Sequence, residues 1–212
     1  AAKALRSGGK SLLPAGIVQV NGNFEPGDLV RVTTQDGDII GVSWGTTIYN
    51  MALNLKHKAL KGVQIVQLKG GISHSQSNTY AYEVVELFSE AFSTVGRYLP
   101  LPVMFDTAQI KELIERDKHI KKILDLGRQA NIAVFTVGTV KNDALLFRLG
   151  YIDKKDRDII QNRAVGDICS RFIDAQGNIC DKELDERTVG IKLEELKAKE
   201  KRILVAGSQR KI

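Results

Sequence analysis

"VQIVQLKGGISH", residues 63–74, is an apolar run that stops at a lysine and two glycines, followed by a polar turn holding one of the chain's three histidines. A short apolar run bounded by turn residues reads as a strand buried on both faces, the kind that parallel sheets contain. Lys69 at its end is either a charge reaching solvent or a nucleophile or cation held in a pocket. What the other strand ends carry decides between them.

Working outward, short β-branched runs alternate with amphipathic stretches from residue 39 onward, the signature of βαβ units and of an α/β parallel sheet with helices on both faces. The expected strands are "DIIGVS" (38–43), "VQIVQL" (63–68), "LPVMF" (101–105), "IAVFTVG" (132–138) and "RILVAG" (202–207). Between them Ile48, Met51, Ala52 and Leu55 recur at helical spacing, as do Val84, Val85, Phe88, Ala91 and Phe92, and Ile110, Leu113 and Ile114. Core packing is the expected role of all three sets. A charged helix is expected near Asp153 to Arg163, and "DAQGN" reads as a hairpin turn. The first forty residues differ: "NGN", "EPGD" and "QDG" punctuate short strands, so a boundary falls between a β-rich segment, 1–37, and an α/β domain, 38–212.

Composition is that of a globular chain: 212 residues, 43% hydrophobic and 26% charged. No apolar run approaches the roughly 20 residues that span a bilayer, and the N-terminus shows no signal pattern, so a cytoplasmic location without membrane contact is expected. Cys169 and Cys180 form no CxxC pair and lack a histidine cluster, so no metal site is expected, and both read as small core or surface residues. The net charge of +6 suits nucleic acid or phosphorylated ligands. Part of that excess lies in mixed-charge segments such as "KAKEKR" (197–202), read as a solvated helix face.

In open parallel sheets ligands bind outside the carboxyl ends of the strands. After the first strand come Gly45, Thr46 and Thr47, where a glycine permits close backbone approach and two hydroxyls open a helix; plain N-capping is the alternative. After the second come Lys69, Gly70 and Gly71. After the fourth come Gly138 and Thr139, and after the last a small-residue turn with Arg210 and Lys211. Small residues, hydroxyls and cations at four strand ends suit a phosphorylated small molecule. No dinucleotide or P-loop glycine motif is present, so no cofactor is expected, and His74 has no partners for a hydrolase triad.

"GDIIGVSWGTTIYNMA", "VQLKGGISHSQSNTYAYE", "LPLPVMFD", "NIAVFTVGTVKNDALLFRLGY", "AVGDICSRFIDAQGNI", "RTVGI" and "ILVAGSQRK" together resemble the effector-binding domain of SorC-type sugar-binding transcriptional regulators, in order over residues 38–212. The resemblance implies a Rossmann-like fold similar to phosphosugar isomerases and sugar-phosphate ligands. In the deoxyribonucleoside-responsive branch of that family the lysine of "QLKGG" forms a Schiff base with the aldehyde of deoxyribose 5-phosphate, and Lys69 matches it. Such an amine can lose its proton well below the reference value of about 10.4 and attack a carbonyl. The resemblance further implies phosphate binding by Gly45, Thr46, Thr47 and Lys211, and places Gln76, Arg148 and Asp167 along the ligand site. It implies a homo-oligomer, and DNA contact only through a helix-turn-helix domain absent from this chain.

The stretch "LRSGGKSLLPAGI" with "GNFEPGD" resembles instead part of the PUA domain of glutamate 5-kinase. A composite chain is therefore expected, whose sensor domain lacks family elements at both ends. The function expected is effector sensing rather than catalysis. A Schiff-base aldolase or sugar-phosphate isomerase on the same fold is the alternative, with Asp167 as the nominated carboxylate. An RNA-binding accessory module would rest on Lys3, Arg6 and Lys10, which also fit a solvated helix.

Overall fold

The structure, a computed structural model, describes residues 37–207; the β-rich segment 1–36, with Lys3, Arg6 and Lys10, and the last turn, with Arg210 and Lys211, lie outside the described residues. Among these the strands are β1 (Ile39–Val42), β2 (Gln64–Gln67), β3 (Gly96–Arg97), β4 (Ile132–Phe135), β5 (Val137–Gly138), β6 (Gly166–Ile168), β7 (Arg171–Ile173) and β8 (Lys201–Leu204). The helices are α1 (Thr46–Ala52), α2 (Ala81–Ala91), α3 (Ala108–Glu115), α4 (Lys118–Gln129), α5 (Leu145–Arg148), α6 (Lys154–Arg163), α7 (Lys182–Arg187) and α8 (Leu193–Lys197).

Five strands form a parallel sheet in the order β3-β2-β1-β4-β8. The chain builds outward from β1 on one side and resumes at β4 on the other, so the switch point lies between β1 and β4, where ligand crevices open in such sheets. Side chains alternate between the faces. Ile40, Val42, Ile65, Ile132 and Val134 pack with Ile48 of α1 and Val84, Val85 and Phe88 of α2. Leu68, Ala133 and Phe135 form a second cluster with Cys169, Ile191 and Leu196. A smaller antiparallel sheet, β5-β6-β7, stands beyond the end of β4.

Local signals fix several ends. Thr107, Asp117, Asp153 and Asp181 cap α3, α4, α6 and α7 with side-chain oxygens that accept from first-turn amides. In the "DAQGN" turn the Asp174 carboxylate accepts from the amides of Gln176 and Asn178 at 2.9 and 2.8 Å. These backbone bonds hold both Asp117 and Asp174 below the usual carboxylate range.

Five readings of the sequence need correction. "LPVMF" is no ladder strand: Ile72 bridges Pro102 and Met104 bridges Thr188 singly. Pro100 and Pro102 lack the amides a ladder needs, and β2 pairs instead with β3, which precedes the prolines. The run 132–138 bends at Thr136, giving β4 to the parallel sheet and β5 to the small one. Ile110 and Leu113 are 44% and 70% exposed; α3 turns Lys111 and Ile114 inward instead. Leu55 lies past the end of α1, though it still packs on the core. "KAKEKR" is no single solvated face: Lys199 is buried and its Nζ donates to the carbonyls of Gly127 at 3.0 Å and of Arg128, at the end of α4, while Lys201 and Arg202 open β8.

Candidate functional site

Lys69 is 5% exposed. It is therefore no strand-end charge reaching solvent. Its Nζ sits 3.6 Å from the centroid of the Trp44 ring and donates to Ser170 Oγ at 3.0 Å. An indole face attracts an ammonium through its quadrupole, by roughly 2 kcal/mol when the pair is desolvated. Trp44 is itself fixed, its Nε1 donating to the carbonyl of Gly70 at 2.8 Å. The strand end is fastened from beneath by Gln67, whose Nε2 donates to the Lys69 carbonyl at 2.6 Å and whose Oε1 accepts from the Leu99 amide at 3.3 Å.

Ser170 reaches Lys69 because β6 and β7 are joined by a two-residue turn, Cys169–Ser170, with φ of 51° and 67° and Ile168 paired to Arg171 across it. Two consecutive positive φ values define the primed turn that asparagine and glycine normally supply. Here a cysteine and a serine occupy it, at a strain of order 1 kcal/mol or more each. The turn places a buried hydroxyl where a glycine would leave none. Asp167, 6% exposed, accepts from the Ser170 amide at 2.9 Å through Oδ2. Its Oδ1 lies against the backbone of Gly138, where an added Cβ would come within 1.7 Å, so a side chain there would have to displace the carboxylate. Cys169 is enclosed, and burial pushes its thiol up to about 11, with the Asp167 carboxylate adding to the rise and Lys69 and Arg171 opposing it.

Four chain segments thus meet at one end of the parallel sheet: the end of β1 (Trp44), the end of β2 (Lys69), β5 (Gly138) and the β6–β7 hairpin (Asp167, Ser170). Gly45 caps α1 with φ of 126° and open space where a Cβ would be. Thr46 is exposed and Thr47 half-buried, and a Cβ built on Gly207 would lie 3.8 Å from Thr47 Cγ2. Gln76 and Arg148 are exposed. Their segments adjoin, since Ser73 Oγ donates to the Leu149 carbonyl at 3.3 Å. Lys69 and Asp167 are brought into one buried cluster; Gln76 and Arg148 are on the surface outside it.

Sequence reasoning passed over Trp44, Ser170 and Arg171. A tryptophan in the otherwise small "GVSWGTT" was the available signal for the first. Nothing local distinguishes the other two, whose roles arise from contacts across 101 and about 20 residues of chain. Among the described residues no group of His, Cys, Asp or Glu is arranged to hold a metal ion, and no helix is long and apolar enough to cross a membrane.

The structure is thus an α/β domain whose parallel sheet ends on one side in a buried lysine set against the tryptophan that follows β1. The chain belongs to the Sugar-bind family of sugar-binding domains, whose pattern it matches over residues 26–212. It is 58% identical over 185 residues to the deoxyribonucleoside regulator of Bacillus subtilis (strain 168), a match covering 87% of this chain and 59% of that regulator. A crystallised domain of a possible sugar-binding transcriptional regulator from Arthrobacter aurescens TC1 superposes with a TM-score of 0.74 at 29% identity, covering 81% of this chain and 66% of that one. The chain spans 50–59% of the length of the curated regulators it matches. Residues 1–47 match the PUA domain, and glutamate 5-kinase of Maridesulfovibrio salexigens is 46% identical over 70 residues, 33% of this chain and 18% of the kinase. The two family matches overlap over residues 26–47.

Proposed function

We propose that this chain carries the effector-binding domain of a sugar-responsive transcriptional regulator, and that Lys69 captures an aldehyde sugar phosphate, in the first instance deoxyribose 5-phosphate, as a Schiff base. The observation that carries this reading is a primary amine buried against an indole face with a hydroxyl at hydrogen-bond distance. The neutral amine adds to the carbonyl carbon, forming a C–N bond while the carbonyl oxygen takes a proton; loss of water from the carbinolamine then leaves the imine. Ser170, whose hydroxyl pairs with the amine, would exchange those protons, and Asp167 would hold Ser170 through its amide.

The sugar's phosphate would lie at Gly45, Thr46 and Thr47, with Lys211 adding a cation, and Gln76 and Arg148 would line the rim. Ser43, at the end of β1, has a buried hydroxyl unpaired among the described residues. In an intact regulator, effector binding would shift the oligomeric state or DNA affinity of an attached helix-turn-helix. Moving such a two-state equilibrium from 1:99 to 99:1 takes about 5.5 kcal/mol of differential binding, within reach of a covalent bond plus phosphate contacts. Residues 1–37 would be a PUA-derived segment, and 38–212 the sensor.

The test is intact mass after incubation with deoxyribose 5-phosphate and borohydride, on the wild type and on Lys69→Ala. One adduct is expected, present only when Lys69 is. No adduct in the folded wild type, or an adduct that survives Lys69→Ala, rejects the reading. A second reading, a Schiff-base aldolase, is favoured by the buried Asp167 carboxylate, which holds the amide of the same Ser170 that pairs with the amine. Release of acetaldehyde and glyceraldehyde 3-phosphate from the same incubation without borohydride would replace the first reading by it.

A further inference from the structure

We propose that Arg171 is a positioning residue for Lys69, an inference that rests on Lys69 being the reacting amine. Arg171 follows Ser170 directly and is 1% exposed. Its Nε donates to the Ile191 carbonyl at 2.7 Å. Nη1 donates to the Asp185 carbonyl at 3.0 Å and to Asp185 Oδ1 at 2.6 Å, and Nη2 to the carbonyls of Thr188 and Gly190 at 3.3 and 2.9 Å. A guanidinium has five N–H groups, so each is used. All five acceptors lie within residues 185–191.

That same segment lies along the strand end that carries Lys69. The Ile191 amide donates to the Leu68 carbonyl at 2.8 Å, the Gly70 amide to the Val189 carbonyl at 3.4 Å, and Gly190 bridges Lys69. Gly190 has φ of 110°, and a Cβ there would fall 2.3 Å from the Leu68 carbonyl oxygen and 2.5 Å from Lys69 Cα. The contact is backbone on backbone. Lys69 is thus held twice through Arg171: its main chain by the segment that the guanidinium gathers, and its ammonium by the residue preceding Arg171. A lysine at position 171 would keep the charge but, as a point donor on a flexible stem, could not span five acceptors.

The experiment compares Arg171→Lys with Asp185→Asn, which weakens the ion pair but leaves the four bonds to main-chain carbonyls. Two rates are followed by mass: reductive methylation of Lys69 with formaldehyde and cyanoborohydride, and formation of the borohydride-trapped adduct with deoxyribose 5-phosphate. Thermal stability is recorded for each variant. Arg171→Lys is expected to speed methylation of Lys69 and to slow adduct formation, each by about tenfold or more, the scale on which misplacing a reacting group acts. Asp185→Asn is expected to leave both rates at wild-type values even where its loss of stability is similar. Wild-type rates in Arg171→Lys, or the same change in both variants, overturn the proposal. Should Arg171→Lys fail to fold, Gly190→Ala displaces the same segment with Arg171 intact and must speed methylation likewise; a wild-type rate in folded Gly190→Ala overturns the proposal as well. The methylation contrast without any wild-type adduct would reject the sugar-phosphate reading while leaving Arg171 as the residue that positions Lys69.

Discussion

The two sheets hold their buried residues by different means. In the parallel sheet the interior is Val, Ile and Ala packed on helices, with Ile40, Ile65 and Ile132 at 0–1% exposure and paired side by side. In the small antiparallel sheet polar groups share the interior: Ser170, Arg171 and Asp167 are 0%, 1% and 6% exposed, beside the buried Cys169 and Phe172. Dispersion and area burial spread stability over many interchangeable contacts, whereas a buried polar network concentrates it in a few partners, each costly to lose. The first sheet can tolerate drift in sequence. The second cannot, and it is the one that touches Lys69.

The contrast breaks most visibly at Arg171. Replacing it with Met leaves Asp185 and four buried or half-buried carbonyls without their donor, an expected loss of about 3–5 kcal/mol by urea denaturation. Trimming Ile65 to Val in the parallel sheet is expected to cost only about 1 kcal/mol. Equal costs for the two substitutions would erase the distinction.

Smaller, and specific to the hairpin, is a dependence on alkaline pH. The Cys169 thiol is raised from an ordinary 9.0 to about 11, chiefly by burial. A group whose folded pKa is raised contributes stability that is complete below the unfolded value and is lost as pH climbs through the folded one. Stability should therefore decline between about pH 9 and pH 11, by about 2–3 kcal/mol from this thiol. Tyrosines and lysines also titrate there, so the measurement is the difference in slope between the wild type and Cys169→Ala. Parallel slopes would show that the thiol is not enclosed.

The same contrast explains what the sequence reveals. Periodicity reports side chains that all want the same thing, so β1, β2, β4, β8, α1 and α2 can be read directly from "DIIGVS", "VQIVQL" and the spacing of Val84, Val85 and Phe88. Lys69 stands out because a charge interrupts such a run. Arg171 does not, since "CSRF" looks like any turn and its five acceptors lie 14 to 20 residues downstream. Lys199 makes the point from the other side. It is as buried as Lys69, yet it donates to carbonyls at the end of α4, and burial lowers its pKa. One lysine ends an apolar run and the other lies in a mixed-charge stretch, yet both are buried; their partners separate a helix-capping cation from an amine on an aromatic face. The bend of 132–138 and the failed strand at 101–105 have local causes, Thr136 and two prolines, but which sheet claims each piece is settled by register elsewhere.

The smallest expected effect concerns α3, where periodicity identified an apolar stripe and the fold left two of its three residues, Ile110 and Leu113, uncovered. Leu113 is 70% exposed, while Leu124 on the adjacent α4 is 7% exposed and packs with Leu99, Leu101 and Val189. Leu124→Ala should cost about 2–5 kcal/mol, as core truncations do. Leu113→Gln should change stability by less than about 0.5 kcal/mol, since it removes almost no buried area. Both are read from denaturation at several protein concentrations. A cost above about 1 kcal/mol for Leu113→Gln that grows with concentration would mean that another copy covers this face, because only burial against a partner gives an exposed leucine that weight. A concentration-independent cost of that size would instead mean that α3 packs with Leu113 inward, returning the stripe to the core that its spacing suggested.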